Sequence, residues 1–200
     1  DKNASFVQQF RGAPPSDVIQ LTIFRYHEGD SDVVTIWLGR VVNVKLKERI
    51  AEIRCEPIFT AMKRPVLRRR YQTTCPHVLY GTQCGVLSSS FSVTTSLLSV
   101  SGTTLTASAF GTHPDGYFSG GYVEWEVDGN IETRPIINHI GTAITVNFPF
   151  QGMPSNATVK AFPGCDHVLA TCNTKFNNVE NYGGQPFFPS KNPMNGTTIY

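Results

Sequence analysis

Apolar and polar positions alternate through the first third of the chain. Ile19, Leu21 and Ile23 share one face of a strand predicted over 18–26. Glu28-Gly29-Asp30-Ser31-Asp32 is a turn, and 33–38 reads as the partner strand. Residues 39–46 alternate again through Val42, Val44 and Leu46. A reversal near Lys47-Glu48-Arg49 leads into 50–56, where Ile53 and Cys55 alternate. This is the pattern of an antiparallel meander, and it makes Cys55 a small apolar core residue at a strand end.

The stretch 91–150 keeps the period of two but is richer in Ser, Thr and Gly. Strands are expected at 92–97, 103–107, 122–127, 131–140 and 143–148. Asp128-Gly129-Asn130 forms the strongest hairpin turn of the chain. Pro135 suggests an edge or a bulge, because proline cannot donate to a ladder. Glu124 and Glu126 lie two apart, so both face solvent opposite Val123, Trp125 and Val127. Beyond Pro163 the chain is rich in turns, with at most one short helical turn within 173–181. The expected fold class is mainly β. An N-terminal antiparallel β domain (1–62) is followed by a cysteine-loop region (63–90 and 163–200), into which a small β barrel or sandwich (91–162) is inserted.

Composition narrows the function classes. Lys+Arg is 17 and Asp+Glu is 15, a near-neutral balance that argues against a general nucleic-acid binder or a polybasic membrane anchor. Ser and Thr together (34) outnumber all charged residues (32), which suits a β surface made for protein contacts. No apolar run approaches the roughly 18 residues of a membrane-spanning helix. The first residue is Asp1, without a signal peptide, as expected of a fragment, a processed product or a chain lacking its start.

Five cysteines carry the candidate chemistry. Four form two local pairs, Cys75-x8-Cys84 and Cys165-x6-Cys172, about 80 residues apart, with none between. Three readings stand: free thiols or disulfides in a virion or secreted protein, a four-thiolate zinc site, or an iron–sulfur cluster. Neither spacing is the short knuckle usual for zinc, but spacing alone does not separate zinc from a cluster. His77 and His167 each follow a cysteine by two residues. They could be ligands, but four thiolates already fill a site, which leaves them to hydrogen-bond loop carbonyls or sulfurs. The run 63–70 holds five basic residues in eight positions. It reads as a solvated face, open to pairing with acids of a neighbouring subunit, more than as a phosphate or DNA contact or a clamp on an acidic partner surface. Its last member, Arg70, would offset thiolate charge next to Cys75.

Hydrolase, P-loop and dinucleotide motifs are absent, so the chain does not read as an enzyme. A Cys–His hydrolase would have to pair Cys165 or Cys172 with His139 or His113, with nothing to fix that geometry. A tail-associated cell-wall hydrolase or cysteine peptidase, and a secreted disulfide-bonded β adhesion module, are the alternatives.

The run Cys75-Pro76-His77-Val78-Leu79-Tyr80-Gly81-Thr82-Gln83-Cys84-Gly85 resembles the first cysteine loop of phage tail-tip proteins. Pro163-Gly164-Cys165-Asp166-His167, Thr171-Cys172, Lys175-Phe176-Asn177-Asn178 and Asn181-Tyr182-Gly183-Gly184 resemble their second loop. The family includes minor tail protein L of lambda-like siphophages and the hub protein of gene transfer agent tails. The likeness spans about 54–193 and departs at Gln185, where an aromatic residue is expected. It implies an iron–sulfur cluster, [4Fe–4S] in type, on Cys75, Cys84, Cys165 and Cys172. It also implies a homotrimeric structural hub in the virion tail tip, made in the bacterial cytoplasm. Such a hub joins the distal tail protein ring to the central tail fibre or receptor-binding protein, with no membrane in the assembled particle. Members have a longer N-terminal β domain than this chain.

Overall fold

The computed structural model describes residues 7, 10, 14–29, 31–47, 50–63, 70–127 and 129–189. The fold is mainly β. Its first sheet has three antiparallel strands in the order β1-β2-β3: β1 Gln20–Arg25, β2 Val34–Lys47 and β3 Ile50–Pro57.

Residues 33–38 and 39–46, read separately from the sequence, form the single 14-residue strand β2. Gly39 lets it continue. A Cβ there would lie 2.2 Å from the Glu56 carbonyl oxygen and 2.3 Å from the Trp37 ring. A bulge between Val41 and Asn43 then takes up the register against β3. Cys55 pairs with Val41 but is only half-buried, because this sheet has almost no core. Val44 is its only buried apolar side chain among the described residues, while Phe24, Ile36, Val42 and Ile50 are exposed.

The second sheet has seven strands: β4 Val93–Ser96, β5 Ser99–Ser101, β6 Thr104–Thr106, β7 Tyr122–Val127, β8 Asn130–Ile140, β9 Ala143–Val146 and β10 Thr158–Phe162. Their spatial order is β4-β10-β7-β8-β9-β6-β5. The outermost strands, β4 and β5, are therefore neighbours in sequence, with only Leu97 and Leu98 between them. The sheet must curl until its edges nearly meet. Leu97 N–H donates to Ala157 at 2.9 Å on one edge, and Leu98 N–H donates to Thr106 at 2.7 Å on the other.

The alternate residues of these strands fill the barrel. Leu105, Val123, Ile144, Val146 and Val159 are buried with Phe110 and Phe118. Each such side chain contributes about 1.5–3 kcal/mol by leaving water. Phe118 meets Phe110 and His139 edge-on, with ring centroids 5.4 and 5.0 Å apart. In β7 the alternation places Val123 and Trp125 inside and turns Glu126 to solvent, with Glu124 half-exposed. Gly129, at φ 77°, turns β7 into β8.

Pro135 is not at an edge: β8 lies between β7 and β9. It stands where β8 changes partners, since 130–135 pair with β7 and 136–140 with β9. A bulge between Ile136 and Asn138 follows directly, so the missing N–H falls where the ladder is already interrupted.

Two elements had no strong periodic signal. Strand β10 alternates over only five residues but forms the bridge between β4 and β7. Helix α1, Leu169–Phe176, begins before the expected helical turn. It ends at Asn177, whose left-handed φ of 46° and the Asn178 N–H to Cys172 bond of 3.1 Å close the last turn. Strand β4 pairs with β10 from Val93↔Ala161 to Ser96↔Thr158, so both ends of the barrel segment leave it side by side. That adjacency carries the two cysteine loops to one place.

Candidate metal centre

The first loop, 70–86, is built from tight turns. Gly81 N–H donates to Val78, and Cys84 and Gly85 N–H groups both donate to the Gly81 carbonyl at 3.0 Å. The second consists of 163–168, α1 and the following 177–186. The three described non-glycine residues at positive φ, Tyr80 (62°), His167 (63°) and Asn177 (46°), all lie in these loops. Such conformations are costly for bulky residues and persist only where surroundings enforce them. Tyr80 is held by its hydroxyl, which donates to Pro163 at 2.8 Å, and by edge-on contacts with Tyr122, Phe162 and Phe176. Tyr80→Phe is expected to lower stability by about 1 kcal/mol, read from the shift in a denaturant midpoint.

Close backbone approach closes the site. A Cβ on Gly164 would sit 2.0 Å from the Ser119 carbonyl oxygen, and one on Gly183 would sit 2.5 Å from the His77 ring. A Cβ on Gly184 would lie 2.6 Å from the Thr73 carbonyl oxygen. The double glycine thus lets the C-terminal segment lie against the first loop. Tyr182 donates its hydroxyl to Thr73 at 2.6 Å and to His167 at 3.2 Å. Gln185 donates its N–H to the Gln72 carbonyl at 2.8 Å and so takes part through its backbone.

Cys75, Cys84, Cys165 and Cys172 line one cavity of about 20 Å³, together with His77, His167 and Asn178. That is a little more than the roughly 10–15 Å³ one water needs. All five cysteines are free thiols, and Cys55 stands apart in β3. Among the described residues, no three His, Cys, Asp or Glu side chains are spaced to hold a single metal ion.

Donors face the sulfurs. Gly183 N–H points at Cys75 Sγ at 3.4 Å and His167 N–H at Cys165 Sγ at 3.3 Å. Asn178 Nδ2 lies 3.8 Å from Cys84 Sγ. Cys172 instead donates its thiol proton to the Asn178 carbonyl at 3.2 Å. Burial pushes the Cys165 thiol up; the His167 N–H opposes this, and Asp166, Cys84 and Cys75 add to it. Burial also raises Cys172, reinforced by Cys165, Cys75 and Cys84. The neighbouring sulfurs thus weigh on Cys165 and Cys172, and gathering four thiolates calls for a positive group among them.

The histidines serve the loops. His77 Nδ1–H donates to the Asn181 carbonyl at 3.1 Å. The His167 carbonyl accepts from Cys75 N–H at 2.8 Å, so its backbone ties the two loops together. Arg70 is exposed and borders an outer depression with Pro76, His77 and Gly183. It is not among the charges acting on Cys165 or Cys172. Of the basic run, 64–69 lie outside the described residues. His139 is buried in the barrel, its Nε2–H directed at the Phe110 and Gly141 carbonyls, and neither it nor His113 lines the thiol cavity.

The sequence places Lys175, Asn178 and Asn181 in the runs that carry the family likeness but gives them no role. Asn181 Nδ2 donates to Asn178 Oδ1 at 2.7 Å, and Asn178 Nδ2 donates to the Cys84 carbonyl at 2.6 Å. Lys175 donates to the Tyr117 and Gly164 carbonyls, bracing the residue before Cys165. The clustering of Asn after Cys172 was the available signal.

Residues 116–192 match the family model described as phage conserved hypothetical protein BR0599. That stretch includes the second cysteine loop but not the first. A solved chain from a "virion of native gene transfer agent (GTA) particle" superposes with a TM-score of 0.73 at 20% identity. The match covers 90% of this chain and 65% of that one. Among curated proteins none matches. The chain thus has the fold of a gene transfer agent virion protein, over about two-thirds of that protein's length, and a C-terminal part similar to a phage family.

Proposed function

We propose that this chain is a structural component of a phage-type virion, a hub of the tail tip whose two cysteine loops are stapled by a four-thiolate iron–sulfur cluster. The observation that carries the reading is the convergence of Cys75, Cys84, Cys165 and Cys172 on one cavity from positions about 80 residues apart. The four thiols line one cavity, which is what a shared four-thiolate group requires of them. The N–H groups aimed at Cys75 and Cys165 are the contacts that stabilise anionic sulfur in such sites. When bound, the cluster would supply four metal–thiolate bonds as cross-links. The loops, poor in buried apolar side chains, would then be ordered by ligation more than by burial.

Assembly into a particle is supported by the gene transfer agent likeness and the phage family match. The open N-terminal sheet fits the same role, since exposed apolar surface on that scale marks protein contact. In the finer reading the chain forms a homotrimer. It links the distal tail protein ring to the central fibre or receptor-binding protein, within the virion and without enzymatic activity.

Iron, sulfide and zinc analysis of anaerobically purified protein tests the staple. Brown protein with near-stoichiometric iron and sulfide is expected. Colourless protein with one zinc would overturn the cluster, and metal-free protein would overturn the staple altogether. Labelling of purified particles with an antibody to the chain is expected to mark the tail tip; label confined to the head, or none, would overturn the hub.

A further inference from the structure

We infer that Asn178 is a positioning residue that couples the two cysteine pairs, holding Cys84 of the first loop and Cys172 of the second in one arrangement. Its side-chain Nδ2 donates to the Cys84 carbonyl at 2.6 Å and lies 3.8 Å from the Cys84 sulfur. Its own carbonyl accepts the Cys172 thiol proton at 3.2 Å. Its N–H donates to the Cys172 carbonyl at 3.1 Å, as part of the turn that ends α1. One residue therefore touches both a cysteine of the 70–86 loop and a cysteine of α1, 94 and 6 positions away.

Two features keep Asn178 in place. Asn177 takes the left-handed conformation that reverses the chain after α1. Asn181 Nδ2 donates to Asn178 Oδ1 at 2.7 Å, which leaves the amide nitrogen to face Cys84. Asn181 in turn accepts from His77 through its carbonyl, so the orientation of the amide is tied back to the first loop. A side chain with both a donor and an acceptor is needed here, and aspartate supplies only the acceptor at neutral pH.

The coupling is a property of the chain without its metal group and can be measured there. In reduced, metal-free, full-length protein, iodoacetamide alkylation of each cysteine is followed by mass spectrometry. Asn178→Ala and the near-isosteric, uncharged Asn178→Leu are both expected to raise the rates at Cys84 and Cys172 together by about fivefold, the equivalent of one lost neutral hydrogen bond. Cys75 and Cys165, held by Gly183 and His167, are expected to keep their rates. A rise at Cys84 alone, a rise at all four, or no change would each overturn the coupling. The inference meets the cluster reading in a second measurement on anaerobically prepared protein. There, chelator release of iron is expected to quicken roughly tenfold in both variants. Wild-type protein that binds no iron would sink the cluster reading and leave the alkylation result to decide the coupling.

Discussion

Cys84→Ser is expected to abolish the visible absorbance of anaerobically purified protein and to release its iron and sulfide. A serine oxygen is a poor replacement for thiolate at iron, and only three sulfurs would remain around the cavity. The effect should reach well beyond the site. By analogy with structural zinc, ligation can contribute on the order of 10 kcal/mol to folding. Apolar burial within the first loop is thin: Val78 is exposed, Val86 is the one buried aliphatic side chain of 70–86, and Tyr80 packs on Tyr122, Phe162 and Phe176. Hydrogen exchange should therefore show protection lost across 70–86 and 163–186, with the barrel core still protected. Cys55→Ser is the matched control. Cys55 lies in β3, outside the cavity, and its replacement should leave colour and iron content unchanged. Equal bleaching in both variants, or retained iron in Cys84→Ser, would refute the assignment of ligands.

Gly164→Ala is expected to destabilise the protein by about 3 kcal/mol and to impair metal loading as well. The added methyl would sit 2.0 Å from the Ser119 carbonyl oxygen and 2.4 Å from Gly120 and Gly121 backbone atoms. The backbone of 119–121 cannot give way as a flexible side chain can. Gly164 also lies beside Cys165, and its carbonyl accepts from Lys175 Nζ at 2.7 Å. Any shift that relieves the clash moves a sulfur out of the ring of four. Gly102→Ala separates this crowding from backbone strain: Gly102 has φ 60° and open space around it. Its cost should be only the roughly 1–2 kcal/mol of a left-handed alanine, with full metal content. Chemical denaturation of both variants, alongside iron analysis, tests the distinction. A Gly164→Ala protein as stable and as fully loaded as wild type would contradict the close-packing account.

Much of the barrel was legible from alternation alone. Tyr122–Val127 was read to the residue, because Val123 and Trp125 alternate with two glutamates and Asp128-Gly129-Asn130 supplies the turn. The failures have physical reasons. Strand β2 continues through Gly39 because only tertiary packing reveals that Trp37 lies where a side chain would be. Only the edge half of the edge-or-bulge reading of Pro135 fails: the residue is central and borders a bulge, where a change of strand partner removes the need for its N–H. Strand β10 is short, and its alternation, Val159 and Ala161 buried between Lys160 and its neighbours, is too brief to stand out.

At the candidate site the sequence by itself determined which sulfurs are paired along the chain. It also singled out Cys55 as different, and it implied through family likeness that the four belong to one centre. It determined the glycines too, whose missing side chains permit the close approaches. Only the tertiary structure decided that the two loops face one cavity, because that depends on β4 and β10 lying side by side after a 60-residue excursion through the barrel. It also decided the parts played by His77, His167 and Asn178. A hydrogen bond is settled by direction and distance at a single atom, and local sequence constrains neither when the partner is about a hundred residues away.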